Sequence, residues 1–411
     1  MRILFVLHRF YPDFIGGTEQ HALDLAKELQ ARGHDVAIFY RAPGLYGLQP
    51  GKWDGVPVYR AQAGPMTPFR LFAATFFEPC LATMFRQALQ IFNPDRICLA
   101  HLMGLPVTIV DEIRRRGVPL IISLHDYWWV CANANLLTND GRQLCDGPRA
   151  WVNCARCGLA RMGWRIAMPL APALASVMAL RGYLLRSRLA QADCILVFSQ
   201  FVRSWYLHHG APAGKLVWVS RGIRWRKPPP RRTQPGGPVR FFYAGGIAPI
   251  KGLHILIEAF CSLDHKAELW LAGDLEIFPE YARRLQALAC HPGIRFLGRV
   301  SRRDLWPMLA DADAVVVPSL WHETFSMLAH EAFAVGTPVI ASALGALPEI
   351  VRHEENGLLV PPGDVSAWAA TLHRFASDAG LRARLRAGIL PVRIFSKYVD
   401  EVEDIISGAA C

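Results

Sequence analysis

The sequence predicts an α/β chain folded as two doubly wound domains that face each other across a cleft. Three observations carry this. The chain has 411 residues, more than one hydrophobic core organises, so two domains of about 200 residues each are expected. Short apolar runs alternate with amphipathic stretches along its length, the pattern of a parallel sheet covered by helices. Residues 224–238, RWRKPPPRRTQPGGP, hold five prolines and five basic residues, a composition that excludes helix and central strand and marks a linker.

The first domain is expected over 1–223. It opens with the strand ILFVLH and passes through RFYPDFIGGT into a helix in EQHALDLAKELQARGH. There Ala22, Leu25, Ala26 and Leu29 share one face, and Gly33 is the stop signal. DVAIFY has the β-branched and aromatic content of a buried parallel strand; RICLAHL, PLIISLHD and CILVFSQ supply three more. The second domain, 239–385, restarts the pattern. A strand runs to Ala244, Gly245 and Gly246 make a turn, and the next helix places Leu253, Leu256, Ile257 and Phe260 on one face. ELWLAG, IRFLG, AVVVP and PVIAS are its further strands. Residues 386–411 form a C-terminal helix, with a return to the first domain as one course open to it.

Composition narrows the function. Hydrophobic residues at 52% and charged residues at 19% exclude a disordered chain. A formal charge of +11 calls for an anionic partner: a phosphate ligand, an acidic membrane surface or nucleic acid. The N-terminal MRILFVLHRF meets polar residues by His8 and reads as a strand rather than a signal peptide. The longest uncharged apolar stretch, Ile166–Leu180, has 15 residues and contains Pro169 and Pro172, short of the roughly 17–25 that span a bilayer. A cytoplasmic chain is expected, with peripheral contact at the inner membrane face.

In such sheets ligands bind beyond the carboxyl ends of the strands, so the loops there carry the candidate residues. AGGIAPIKG places Gly245 and Gly246 where backbone can approach a phosphate, with Lys251 as a mobile cation beyond them. The ordinary alternative is a tight connection. HETFSMLAHEA places Glu323 in a loop and Glu331 on a helix expected to begin near Phe325 or Ser326 and to end at Ala334. The N–H groups of Phe325, Ser326 and Met327 would then present a positive helix end to a diphosphate. Glu331, about 7.5 Å further along at 1.5 Å per residue, would accept from ribose hydroxyls, and Glu323 would face a sugar on the other side of the phosphates. The ordinary alternative is a capping acid and an exposed helix glutamate.

Six of the ten cysteines lie scattered in apolar contexts, where Cys serves as a small core residue. The other four, Cys131, Cys145, Cys154 and Cys157, are spaced x13, x8 and x2, which suits a structural zinc site. Two disulfides, or free thiols in an insertion over about 131–157 that shapes an acceptor pocket, are the alternatives. PMTPFRLFAATFFEPCLATMFRQAL and RMGWRIAMPLAPALASVMALRGYLLRSRL mix apolar side chains with arginines. They are either basic amphipathic segments for an anionic bilayer or core helices whose arginines snorkel outward.

Seven stretches, in order, carry a family resemblance: GGTEQHALDLAKELQARGHDV, SLHDYWWVC, ADCILVFSQF, AGGIAPIKG, FLGRVSRRDLWPMLADADAVVVPS, HETFSMLAHEAFAVGTPVIAS and GALPEIVRHEENGLLVPPGD. The chain resembles glycosyltransferase family 4, a retaining group with the GT-B fold of two Rossmann-like domains, over about nine-tenths of its length. The resemblance implies that Glu331 holds the nucleotide ribose, that Glu323 holds hydroxyls of the donated sugar, and that Lys251 neutralises the departing diphosphate. Gly16 and Gly17 would let the first domain approach the same phosphates, and His125 in LHDY would contact the donor sugar. One departure stands out: Gly246 occupies the position where the family commonly has an arginine, and Arg221 and Arg224 are candidate substitutes.

The expected function is therefore transfer of a hexose from a UDP- or GDP-sugar to a saccharide hydroxyl, lipid-linked or free, in surface polysaccharide synthesis. A catalytically silent sugar-nucleotide-binding or membrane assembly protein is the alternative. No catalytic metal is expected, because Lys251 and the helix end take that role. No nucleic acid is expected either, since the basic residues gather in the linker and beside apolar helices rather than among stacking aromatics.

Overall fold

Short runs of Val, Ile, Leu and Phe form the strands of two sheets in the computed structural model, which describes residues 1–14, 16–139, 143–224, 237–263 and 266–408. The chain divides into two units, Met1–Ser220 with Tyr398–Cys411, and Arg221–Lys397. The division falls between Ser220 and Arg221, while residues 225–236 of the expected linker lie outside the described residues.

The first unit begins with β1 (Arg2–Leu7), α1 (Gly17–Ala31) and β2 (Asp35–Ala42), followed by the hairpin β3 (Gly47–Trp53) and β4 (Val56–Gln62). Next come α2 (Pro68–Ala74), α3 (Pro79–Phe92), β5 (Arg96–Leu99), α4 (Thr108–Arg115) and β6 (Leu120–Ser123). After a long connection follow α5 (Val152–Arg161), a 3-10 turn (Arg165–Leu170), α6 (Ala171–Leu189), β7 (Cys194–Val197), α7 (Gln200–His208) and β8 (Leu216–Trp218). The sheet order is β3-β4-β2-β1-β5-β6-β7-β8, parallel except for the edge strand β3.

The 3-10 turn and α6 make one helical run of 25 residues, Arg165–Leu189. The uncharged stretch inside it is the 15 residues expected, but the run that carries it begins at Arg165 and continues past Arg181. Pro169 sits in the 3-10 turn and Pro172 in the first turn of α6, where a missing N–H costs nothing. By length and composition alone the run is long enough to cross a membrane, and a third of its most apolar window is buried.

The second unit holds β9 (Val239–Ala244), a 3-10 turn (Pro249–Lys251), α8 (Leu253–Phe260), β10 (Ala267–Ala272), α9 (Pro279–Leu288), β11 (Ile294–Gly298) and α10 (Arg302–Asp311). It continues with β12 (Ala314–Val317), α11 (Met327–Ala334), β13 (Val339–Ser342), α12 (Leu347–Ile350), β14 (Gly357–Val360), α13 (Val365–Ser377) and α14 (Ala379–Ala387). All six strands are parallel, in the order β11-β10-β9-β12-β13-β14. This is the Rossmann order, reversing direction between β9 and β12. Strand alternation sends Phe241 into the core on one face of the sheet and Phe242 into the core on the other, as a doubly wound sheet requires.

The last helix, α15 (Phe395–Ser407), belongs to the first unit from Tyr398 onward. Val399, Val402, Ile405 and Ile406 are buried there. Tyr398 Oη lies 2.9 Å from His21 Nε2, and Glu403 pairs with Arg32 and His34 at 2.7 Å each.

Candidate functional site

In the second unit the loops after β9 and β12 leave from the two strands where the sheet order reverses, the place such folds reserve for ligands. The two loops are held together by backbone: Leu320 N–H donates to Ile250 O at 2.9 Å. Gly252, at φ 69°, is required there, since a Cβ would stand 1.9 Å from Pro318 O. Gly246 faces open space, with nothing within 4 Å of an added Cβ, so backbone is available for close approach.

Lys251 Nζ donates to Glu323 Oε1 at 2.7 Å, and the same oxygen accepts from Ser319 Oγ at 2.6 Å and Trp321 Nε1 at 3.0 Å. Among the described residues no donor reaches Oε2. The carboxylate is buried, and three donors, one of them charged, hold it in place. Gly345, at φ 62°, packs behind it; a Cβ there would lie 2.6 Å from both Glu323 N and O, and Ala346 N–H donates to Glu323 O at 2.8 Å.

Helix α11 starts at Met327, later than expected, because Ser326 takes a left-handed conformation at φ 59°. Phe325 stacks on His330 at 3.9 Å between ring centres, and the Arg221 guanidinium lies 5.5 Å from the Phe325 ring. Burial pulls the His330 imidazole down to about 4. The ring is neutral, with Nδ1 donating to Ser326 O at 3.0 Å. Arg224 instead packs on Phe395. Glu331 is 3% exposed and pairs with Arg302 Nη1 at 2.5 Å.

Arg302 was not singled out in the sequence, where SRRD reads as the charged first turn of a helix. Ser319 and Trp321 flank the glutamate motif and carry no signal by residue type.

In the first unit, His8 follows β1, His101 follows β5 and His125 follows β6. β1 and β5 are neighbours at the point where this sheet also reverses its order. His101 Nε2 lies 2.7 Å from Asp126 Oδ2, and its ring is 4.1 Å from that of His8. Burial, with His101, Arg9 and His125 adding to it, holds His8 well below the usual histidine range. His125 Nε2 is 2.9 Å from Ser123 Oγ, and its ring is 5.0 Å from Phe198.

A Cβ on Gly16 would stand 2.5 Å from the buried Glu19 carboxylate, which Arg9 Nε holds at 2.8 Å; Gly17 meets nothing within 4 Å. Of this array the sequence analysis named only His125 and the two glycines. A histidine directly after three apolar runs was the signal that could have found the others.

Cys131, Cys145, Cys154 and Cys157 line one cavity, although among the described residues no group of three or more His, Cys, Asp or Glu side chains is arranged to hold a metal ion. Burial, and then the other three thiols, push the Cys154 thiol up to about 12. The expectation for the remaining six needs correction. Cys261 and Cys290 form a disulfide across 5.9 Å between Cα atoms, and Cys80 is exposed; Cys98 and Cys194 are buried, and Cys411 lies outside the described residues.

A family model described as Glycosyltransferase Family 4 matches residues 15–224, more than half of the chain, and one described as Glycosyl transferases group 1 matches residues 238–378. The chain belongs to glycosyltransferase family 4. Its two parallel doubly wound sheets are those of a GT-B glycosyltransferase. This family 4 chain is 39% identical over 150 residues to the D-inositol 3-phosphate glycosyltransferase of Xylanimonas cellulosilytica, a match spanning 36% of each chain. The chain thus covers about a third of that relative's length. With the glycogen synthase of Mycobacterium tuberculosis it shares 28% identity over 408 residues, covering 94% of this chain and 89% of that one. Anabaena HepE, solved in complex with UDP-glucose, superposes with a TM-score of 0.69 at 18% identity, covering 99% of this chain and 100% of HepE.

Proposed function

We propose that this family 4 enzyme transfers a hexose from a UDP- or GDP-sugar to a saccharide hydroxyl with retention of anomeric configuration. The observation that carries the reading is the pairing of half-buried Lys251 with buried Glu323 at the switch point of the second sheet. Lys251 shifts to the diphosphate as the glycosidic bond breaks, supplying charge where charge develops. Glu323, held through Oε1, offers Oε2 to hydroxyls of the donated sugar. Glu331, paired with Arg302, takes the ribose hydroxyls. The N–H groups of Phe325, Ser326 and Met327, the first turn of α11 and the Gly245–Gly246 backbone complete the phosphate cradle, so no catalytic metal is needed. His125 is the side chain of the first unit that we assign to the donated sugar. Attack comes from the face the diphosphate leaves, and the departing phosphate oxygen takes the acceptor proton.

The HepE complex with UDP-glucose supports a uridine donor. The exposed apolar run Arg165–Leu189 in the first unit supports a membrane-borne, lipid-linked acceptor at the cytoplasmic face, and with it a place in surface polysaccharide synthesis. Gly246 favours a second reading, a silent nucleotide-binding or assembly protein, because no side chain occupies the place of the family's arginine there. Arg221 beside Phe325 offers a replacement cation.

Thermal unfolding with UDP, GDP and ADP tests the donor assignment. One diphosphate should stabilise the wild type by about 2.7 kcal/mol at about 100 times its Kd, and Lys251→Ala and Glu331→Ala should each abolish the effect. Stabilisation by none of the three would sink the donor site. Nucleotide binding without product from any sugar donor would select the silent reading.

A further inference from the structure

His125, the side chain assigned to the donated sugar, stands on a backbone that is pinned on both sides. Leu124 N–H donates to Leu196 O at 2.9 Å, Asp126 O accepts from Tyr206 Oη at 2.7 Å, and Trp128 N–H donates to Asp126 Oδ1 at 2.9 Å. What the backbone leaves open is the turn of the ring about its last torsion, which in histidine is broad and roughly two-fold. A half-turn of an imidazole exchanges nitrogen for carbon at nearly the same shape, so packing alone does not choose between the two states.

Packing around this ring is also loose. Its centre is 5.0 Å from that of Phe198 and 5.6 Å from that of His21, and a cavity lined by all three, with Ser123 and Tyr398, opens beside it. His21 is itself held, with Nε2 2.9 Å from Tyr398 Oη, and does not fill the space. Ser123, the last residue of β6, places Oγ 2.9 Å from His125 Nε2. This contact separates the ring from its flipped form, in which a carbon would face the hydroxyl.

We propose that Ser123 is the positioning residue for His125: its hydroxyl fixes which edge of the imidazole meets the donated sugar, while Phe198 and the Tyr398-held His21 wall the ring in. This role rests on the assignment of His125 to that sugar. The reaction then requires the hydroxyl at residue 123 rather than its size. Threonine keeps the hydroxyl, and the cavity that Ser123 lines offers a place for its methyl group. Alanine keeps the strand and removes the contact.

Histidine NMR spectra of the full chain labelled with nitrogen-15 test this without any substrate. At about pH 8, where a free imidazole is neutral, the signals absent from His125→Ala belong to His125. They should show one predominant tautomer in the wild type and in Ser123→Thr, and a mixture in Ser123→Ala. Turnover gives the second readout, as release of UDP or GDP from UDP-glucose, UDP-galactose and GDP-mannose. Ser123→Ala should lower kcat/KM about tenfold, the scale of one fixed hydrogen bond. Ser123→Thr should restore it, and thermal stabilisation by the free diphosphate should not change in either. In a His125→Ala background, Ser123→Ala should cost nothing further, since it acts through a ring no longer there. The full loss in both backgrounds, or an unaltered His125 tautomer in Ser123→Ala, overturns the positioning role and leaves the donor site standing. A His125→Ala chain as active as wild type overturns the assignment of His125 itself, and the role of Ser123 with it.

Discussion

Each buried carboxylate of the second unit is legible or hidden according to where its partner sits in the chain. Glu323 and Lys251 are both visible in the sequence because each lies in a loop directly after an apolar strand, where ligand-binding residues are expected. Their 2.7 Å contact is invisible there, since 72 positions separate them. Arg302 was hidden because a basic residue in a helix's first turn looks like an ordinary solvated charge. His330 was passed over as a helix residue, yet it gives the second unit a pH response. Its folded value, about 4 against 6.5, means that the unfolded chain takes up the proton first as pH falls. The stabilisation is whole above about pH 6.5 and is lost on descent toward about pH 4, roughly 3 kcal/mol in total at about 1.36 kcal/mol per unit. Urea unfolding at pH 7 and pH 5 should show the wild type losing roughly 2 kcal/mol. His330→Gln should lose less than wild type by that amount, while His8 in the first unit keeps a slope of the same sign. Equal pH slopes in the two proteins would remove His330 from the account.

At the scale of elements, the parallel strands were legible because β-branched and aromatic runs of four to eight residues have few other uses. The hairpin β3–β4 was not recognised, although Asp54 and Gly55, at φ 47° and 85°, form the Asp-Gly turn that signals one. The length of the Arg165–Leu189 run was missed because the uncharged stretch alone was counted, whereas the run begins at Arg165 and continues past Arg181. That run has a consequence for acceptor access. Ile166 is 98% exposed, and Trp164, Leu170, Leu180 and Tyr183 are at least half exposed, with exposed Arg165 and Arg186 at its two ends. An apolar surface with flanking cations suits an anionic bilayer. Substituting both Ile166 and Leu170 by Asp should abolish co-sedimentation with vesicles containing phosphatidylglycerol while leaving nucleotide-induced thermal stabilisation unchanged. Undiminished sedimentation of the double variant would assign the face to something other than lipid.

At the scale of the whole molecule, the two-unit organisation was legible from length and from the proline-rich segment, whereas the exact division was not: contacts decide it, and composition changes only downstream of it. The course of the C-terminus was likewise left open, because an amphipathic helix does not announce which core it completes. In the structure, residues from Tyr398 pack into the first unit. Removing 398–411 should therefore destabilise the first unit, at about 1.5–3 kcal/mol for each buried apolar side chain lost, and should spare the second. Separate unfolding transitions for the two units, followed by tryptophan fluorescence or calorimetry, would show it; loss from the second unit alone would contradict it. The same feature has a temporal side. A ribosome finishes the first unit's sheet early, yet the helix that closes that unit's core emerges only after the second unit. The second unit can mature as an uninterrupted segment while the first waits incomplete, its apolar surface in need of cover until α15 has been made.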